Sequence, residues 1–259
     1  MPRGGRPFIL VPGACLGGWV WAQVAGRLRD RGHDAFAVTL TGLGDRVHLA
    51  SADVDLETHV TDVVYVLDFE DIRDAVLVGH SYAGAVLPGV VDRRAERLAA
   101  VVYLDTGPLP DGLSVADVMS PDQVEGQRRD VAERGDGWRW PVPDRETLAS
   151  GLFGSASGLS DEDFGRIARL GTAQPFATFT SPVRLSGPPP PGVRRVVIFA
   201  ADGGMTVATA RDLVARGDPR AATFGDPDWE MHELATGHWA MLSLPGPLAE
   251  LLHDIAADQ

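Results

Sequence analysis

The sequence predicts an α/β fold in which a mostly parallel sheet is flanked by helices. Short, wholly apolar runs alternate with longer amphipathic stretches, the pattern of parallel strands joined by crossover helices. The chain has 259 residues, of which 44% are hydrophobic and 23% charged. These values are typical of a globular protein that buries a large core, so we expect one domain, 1–259.

The strands are predicted from apolar runs of four to six residues that end at turn-forming residues. In chain order these runs are 8–11, 35–39, 75–78, 99–104, 195–200 and the more weakly patterned 229–234. Helices are predicted where apolar residues recur every three to four positions. These segments are 19–28, 56–67 and a C-terminal helix whose apolar face carries Leu248, Leu251, Leu252 and Ile255.

The segment 106–191 lacks a parallel-strand pattern and is rich in Gly, Ser and Pro. We predict that it is a helical cap inserted between two strands of the sheet. We refer to residues 106–191 as the inserted segment.

Composition excludes several classes of function. The net charge of −13 disfavours nucleic acid or an anionic membrane as a partner, because both require a basic surface. The single cysteine excludes an internal disulfide and a cysteine-based zinc site. All 23 basic residues are arginine, which excludes Schiff-base chemistry on a lysine.

The first apolar stretch follows two arginines and has some features of a secretory signal. Pro12, Gly13, Gly17 and Gly18 interrupt it, however, and no segment has the roughly 20 apolar residues of a transmembrane helix. We therefore expect a cytoplasmic protein.

The strand at 75–78 runs into the sequence Gly-His-Ser-Tyr-Ala-Gly at 79–84, which is followed by an apolar helical stretch. A strand, a tight turn with serine at its apex and a helix form a nucleophile elbow, which requires small residues on both sides of the serine. Gly79 and Ala83 meet that requirement. Ser81 is therefore the candidate nucleophile, although a helix-capping serine would share part of this pattern.

In hydrolases with this elbow, the acid and then the histidine follow the serine along the chain. His238 lies in a loop after the last strand run and before the C-terminal helix, which places it at the carboxyl edge of the sheet. Asp202, just after the run at 195–200, is our preferred acid, and Asp105, after the run at 99–104, is the alternative. Either carboxylate could accept the Nδ1 proton of the histidine.

An oxyanion hole needs backbone N–H groups directed at the developing negative charge. One is expected from Tyr82, the residue after the nucleophile, and the other from Ala14 in the loop after the first strand. Gly13 would allow close access.

Three blocks in this order resemble the α/β-hydrolase group that contains plant hydroxynitrile lyases, salicylic-acid-binding methylesterases and bacterial esterases. The blocks are the opening at 8–21, the elbow at 76–84 and the segment Gly-His-Trp-Ala-Met-Leu-Ser-Leu-Pro at 237–245. The resemblance covers most of the chain and implies an α/β-hydrolase fold with about six strands, no cofactor and no metal.

The chain departs from this group at several positions. Pro12 replaces a usual histidine, and the lyases carry threonine at Gly13 and lysine at Trp239. Cyanohydrin cleavage by the lyase route is therefore not expected. Tyr82 replaces a leucine that is frequent in the methylesterases and adds a phenol near the predicted pocket.

The resemblance implies a serine hydrolase, of the carboxylesterase or methylesterase type, that cleaves a small apolar or aromatic ester. Two alternatives remain open: a secondary-metabolite tailoring enzyme (cyclisation, lactone opening or C–C cleavage) and a low-turnover ligand-binding homologue. The expected partner is a small-molecule substrate, and a homodimer is compatible with the sequence but not selected by it. Candidate pocket residues are Gly13, Trp239 and the cap aromatics Trp138, Trp140, Phe153, Phe164, Phe176 and Phe179.

Overall fold

The computed structural model of the protein describes residues 4–257. The strands of its main sheet are β1 (Gly5–Val11), β2 (His33–Ala37), β3 (Ala75–His80), β4 (Leu98–Leu104), β7 (Arg194–Ala200) and β8 (Trp229–Leu234). These six parallel strands form one sheet in the order β2-β1-β3-β4-β7-β8, which confirms the predicted fold class.

Helices cover both faces of the sheet because successive strand residues point to opposite sides. The helices of the two layers are α1 (Ala22–Asp30), α2 (Leu56–Phe69), α3 (Ala83–Arg94), α9 (Val207–Ala215), α10 (Ala240–Ser243) and α11 (Pro245–Ala257). In β1, Phe8 and Leu10 pack in one core with α1, α10 and α11, whereas Ile9 and Val11 pack in the second core with α2, α3 and α9. Short 3₁₀ turns lie at Gly18–Trp21, Gly44–Leu49, Ala95–Arg97 and Pro219–Gly225.

The inserted segment folds mainly into short helices between β4 and β7. Its helices are α4 (Val115–Val118), α5 (Pro121–Arg134), α6 (Arg145–Ala149), α7 (Asp161–Leu170) and α8 (Ala177–Thr180). It also contains an antiparallel pair, β5 (Arg139–Trp140) with β6 (Gln174–Pro175). The sequence did not predict this pair, because two residues are too few to show an alternating pattern.

Helix α3 runs through Pro88 without ending there. Proline has no N–H, so the carbonyl of Gly84, four residues earlier, loses its helical donor. That carbonyl instead accepts a hydrogen bond from the Leu109 N–H, at 2.9 Å. Pro88 therefore leaves an acceptor free to anchor the loop that follows β4.

Parallel strands bring their carboxyl ends to one edge of the sheet. His80 pairs with Leu104, and Leu104 pairs with Ile198, so the residues that follow β3, β4 and β7 start close together. No helix within 4–257 has the length and apolar character needed to cross a membrane.

Candidate active site

Ser81 occupies the sharp turn between β3 and α3. Its φ of +52° lies in the left-handed region, which a non-glycine residue rarely adopts and which commonly marks a functional site. Gly79 must be glycine here, because a Cβ atom would lie 2.7 Å from Leu87 Cδ1 and 2.9 Å from Ala83 Cβ. The local geometry is that of a nucleophile elbow.

His238 lies in the loop between β8 and α10 and contacts the carboxylate of Asp105. Its Nδ1–H donates to Asp105 Oδ2 at 2.5 Å, while Asp105 Oδ1 accepts the Ala200 N–H at 3.1 Å. This bond assigns the proton to Nδ1 and leaves Nε2 as the basic nitrogen.

Asp202, the preferred acid in the sequence analysis, does not contact His238; the carboxylate that bonds to His238 is that of Asp105, the alternative. The Asp202 side chain is exposed and accepts the Ser157 hydroxyl at 3.1 Å. The reason lies in the strand ends. Asp105 directly follows β4 with a φ of +48°, whereas the chain beyond β7 continues alongside β8, with the Asp202 N–H donating to the Thr236 carbonyl at 3.0 Å.

Two backbone contacts fix the position of His238. Its N–H donates to the Ser155 carbonyl at 2.7 Å, and its own carbonyl accepts the Nε2–H of His80 at 2.9 Å. Burial and the neighbouring His238 hold the pKa of His80 well below its usual value, so His80 is neutral. His80 thus supports the loop that carries His238.

Gly154 of the inserted segment packs directly on the ring of His238. It has a φ of +107°, and a Cβ atom there would lie 2.5 Å from His238 Cγ. We expect Gly154→Ala to displace the imidazole and lower kcat by about 100-fold, the effect of a misplacement near 1 Å. Steady-state kinetics with an activated ester would measure this loss.

Gly151→Ala is the matched control for that substitution. Gly151 has a φ of +80°, but a Cβ atom there has no neighbour within 4 Å. Its replacement strains the backbone without touching His238. Equal losses in the two variants would show that backbone strain, not contact with the histidine, causes the effect.

The loop after β1 carries the candidate oxyanion donors beside the nucleophile. A Cβ atom on Gly13 would lie 3.2 Å from Ser81 Cβ, so glycine permits this close approach. The next N–H, that of Cys15, donates to Gln174 Oε1 at 2.8 Å, which ties the loop to β6. Neither the Ala14 nor the Tyr82 N–H bonds to another described residue, and both residues line the cavity at Ser81.

The phenol of Tyr82 is hydrogen-bonded within the protein. Its hydroxyl donates to His59 Nδ1 at 2.9 Å, and His59 Nε2–H donates to the Thr41 carbonyl at 2.9 Å. Burial lowers the pKa of His59 to about 4, and burial raises the pKa of the Tyr82 hydroxyl. A neutral histidine and a neutral phenol therefore fix the position of Tyr82, the residue that follows Ser81.

The buried state of His59 predicts acid sensitivity. In the unfolded chain His59 takes up a proton near pH 6.5, whereas in the folded chain it does so only near pH 4. The free energy of unfolding should therefore fall as the pH drops from about 6.5 to 4, by up to about 3 kcal/mol. Urea unfolding of the wild type at pH 7 and pH 5 would measure the change.

His59→Gln isolates this contribution, because glutamine keeps a donor and an acceptor but does not titrate in this range. We expect the variant to lose less stability than the wild type between pH 7 and pH 5. Equal pH dependence in both proteins would show that other groups account for the acid sensitivity.

Two cavities meet at Ser81 and Tyr82. The inner cavity, of about 220 Å³, lies under the inserted segment, and the outer cavity, of about 490 Å³, lies beside the loop after β4. Apolar side chains of the inserted segment form much of the inner wall, namely Val115, Met119, Trp140, Val142, Leu148, Phe153, Ile167 and Phe179. The outer wall includes Asp105, Leu109, Phe199, Met205 and Phe224.

The predicted pocket residues divide into two groups. Trp140 and Trp239 line the inner cavity together with His238, and Gly13 lies beside Ser81. Trp138 lines neither cavity, because it follows the end of α5 and its ring packs with the guanidinium of Arg139 at 5.5 Å. Phe164 and Phe176 also lie outside both walls.

The family model described as "Alpha/beta hydrolase family" matches residues 8–251. The chain belongs to the alpha/beta hydrolase family. This membership confirms the resemblance drawn from the three sequence blocks.

Relatives of this alpha/beta hydrolase include the carbendazim hydrolyzing esterase of Nocardioides sp. (strain SG-4G). It is 32% identical over 95% of this chain and 97% of its own length. The putative methylesterase 14, chloroplastic, of Arabidopsis thaliana is 26% identical over 48% of this chain and 36% of its own length.

A solved structure with the same fold is an extracellular alpha/beta-hydrolase from a Paenibacillus species. Its TM-score is 0.75 at 18% identity, and the alignment covers 98% of this chain and 100% of that chain. At this identity the likeness shows the fold alone.

Proposed function

We propose that this enzyme hydrolyses a small carboxylic or carbamic ester through a Ser81–His238–Asp105 triad. The observation that carries the proposal is the 2.5 Å bond between His238 Nδ1 and Asp105, in a loop that lines the same cavity as Ser81. Ser81 Oγ has no hydrogen-bond partner among the described residues, so the bond from Ser81 Oγ to His238 Nε2 is itself part of the proposal. Such bonds commonly form only with substrate bound.

In the first half-reaction, Ser81 Oγ attacks the carbonyl carbon and His238 Nε2 takes the hydroxyl proton. The N–H groups of Ala14 and Tyr82 stabilise the oxyanion, and Asp105 stabilises the imidazolium. His238 then gives its proton to the departing alcohol oxygen, which leaves Ser81 acylated. A water molecule, deprotonated by His238, then attacks the acyl carbon, and His238 returns the proton to Ser81 Oγ as the bond to the acyl group breaks and the acid leaves.

The inner cavity supports an aromatic or compact apolar acyl group. Cavities near 150 Å³ lined by apolar side chains bind benzene, so a volume of about 220 Å³ is suited to a single ring or a small fused ring. The 32% identical relative is named for carbendazim hydrolysis, and carbendazim, a methyl carbamate on a fused ring, is therefore a reasonable substrate to test.

Hydrolysis of p-nitrophenyl acetate, p-nitrophenyl butyrate and carbendazim by the wild type tests the proposal. We expect turnover of the activated esters and covalent labelling by a fluorophosphonate probe, with the adduct located at Ser81 by peptide mass spectrometry. A folded wild type that neither turns over these compounds nor takes up the probe would contradict the proposal. A probe adduct elsewhere would contradict the assignment of Ser81.

A further inference from the structure

Gln127 of α5 combines two features that conflict in a protein interior. It is 3% exposed, and both its side-chain oxygen and its side-chain nitrogen are buried without a hydrogen-bond partner among the described residues. Leaving a carboxamide unpaired in the interior costs folding free energy. Gln127 nevertheless lies in the wall of the inner cavity, close to Trp140.

Two other polar side chains of that cavity already have partners within the protein. The Tyr82 hydroxyl donates to His59. The Gln123 side chain accepts the Ser120 N–H at 3.0 Å and donates to the Leu152 carbonyl at 3.2 Å. His80 Nδ1 is also unpaired in this lining, but it packs against Gly13, where a Cβ atom would lie 2.7 Å from it. Gln127 is therefore the carboxamide of this cavity whose donor and acceptor are both unused and could pair with a bound molecule.

A carboxamide presents an acceptor and a donor side by side in one plane. Its complement is a planar group with an N–H and an acceptor on the same edge, as in a lactam, a primary amide, a cyclic carbamate or a ring amidine. Two antiparallel hydrogen bonds then form in one plane. The surrounding wall is aromatic, since Trp140 lies 5.1 Å from Phe153 and 5.4 Å from Phe179 between ring centroids. Flat rings are suited to such a wall.

We propose that Gln127 is a specificity-determining residue that recognises a planar, aromatic ester or carbamate carrying an N–H donor beside an acceptor. This proposal rests on the proposed function, because the inner cavity is taken as the substrate site on the ground that Ser81 and His238 line it. The cost of the unpaired amide in the free enzyme is offset when the ligand binds. A substrate that lacks the donor leaves this buried amide incompletely paired and binds more weakly.

Oxindole and N-methyloxindole are probes that test this recognition without turnover. Both are neutral fused rings with a carbonyl, but only oxindole has an N–H beside it. We expect the wild type to bind oxindole about tenfold more tightly in isothermal titration calorimetry, which corresponds to the loss of about 1.4 kcal/mol of pairing. A wild-type affinity ratio near one would overturn the proposal.

Gln127→Met keeps the length of the side chain and removes its polar atoms. We expect the affinity ratio to fall to about one in this variant and to stay near ten in Arg128→Met, whose side chain lies on the exposed face of the same helix. Gln127→Met should also unfold at the same urea concentration as the wild type or a higher one, because the lost amide has no partner. A retained ratio, or a marked loss of stability, would show that Gln127 bonds to a buried water or to the protein and would overturn the proposal.

The binding experiment and the hydrolysis experiment fail independently. If the wild type prefers oxindole but does not hydrolyse p-nitrophenyl acetate, the recognition stands and the esterase function fails. If it hydrolyses the ester but binds both probes equally, the esterase function stands and the role of Gln127 fails.

Discussion

Replacement of Asp105 by asparagine should lower kcat for p-nitrophenyl acetate by about 10⁴-fold, the scale seen when a triad carboxylate is removed. The carboxylate accepts the Nδ1–H of His238 at 2.5 Å and so fixes the tautomer in which Nε2 is basic. An asparagine can present its NH₂ group to Nδ1 instead, which would place the proton on Nε2, the wrong nitrogen. The stabilisation of the imidazolium is lost as well.

Asp202→Asn is the matched control for this experiment. Asp202 also follows a strand at the carboxyl edge, but it is exposed and accepts a hydrogen bond from Ser157. We expect its replacement to change kcat by less than a few-fold. A large loss in Asp202→Asn with little loss in Asp105→Asn would reverse the assignment of the acid. Circular dichroism would verify that both variants are folded.

Replacement of Ser81 by alanine should reduce kcat by about 10⁵-fold or more, because the covalent route is then closed. Fluorophosphonate labelling should disappear in the same variant. Cys15, which also lines the inner cavity, does not substitute for the serine. Burial raises the pKa of its thiol to about 12, so the reactive thiolate is absent at neutral pH.

Ser157→Ala provides the control for Ser81→Ala. Its hydroxyl donates to Asp202 and has no place in the proposed mechanism, so we expect wild-type kinetics and labelling. Residual activity above about 1% in Ser81→Ala would point to another nucleophile or to water activated directly by His238. That result would favour a mechanism without an acyl-enzyme.

The positions of Ser81 and His238 in the fold could be predicted because their signals are local. Ser81 lies within a strand, a small-residue turn and a helix that follow one another within 75–94. His238 follows the last strand of the sheet and precedes the C-terminal helix. Both signals depend on hydrophobic periodicity and on turn chemistry, which neighbouring residues determine.

The choice between Asp105 and Asp202 could not be made in this way. Each aspartate comes within two residues of the end of a buried strand, at the same edge of the sheet, so the local patterns are nearly equivalent. What separates them is the strand order and the backbone at each strand end. Asp105 has a φ of +48° and its carboxylate meets a histidine 133 positions away in sequence.

Other supports of the site have no local signature at all. Gln174 accepts a hydrogen bond from the Cys15 N–H, 159 positions away in sequence. Gly154 has no side chain that would collide with the ring of His238. The unpaired amide of Gln127 becomes visible only when all its neighbours are in place. A glutamine in a polar helix, or a glycine in a loop, has the same appearance in a sequence whether or not it lies against a cavity.

The sequence by itself determined the α/β class, the run of six strands, the elbow at Ser81 and the loop position of His238, because these follow from periodicity and from residues adjacent in the chain. Only the tertiary structure decided that Asp105 meets His238, that Tyr82 is tied to His59, and that the inserted segment closes a cavity around Gln127. These are contacts between residues far apart in the chain. Their existence depends on how strands and helices pack together, which side-chain pattern alone does not specify.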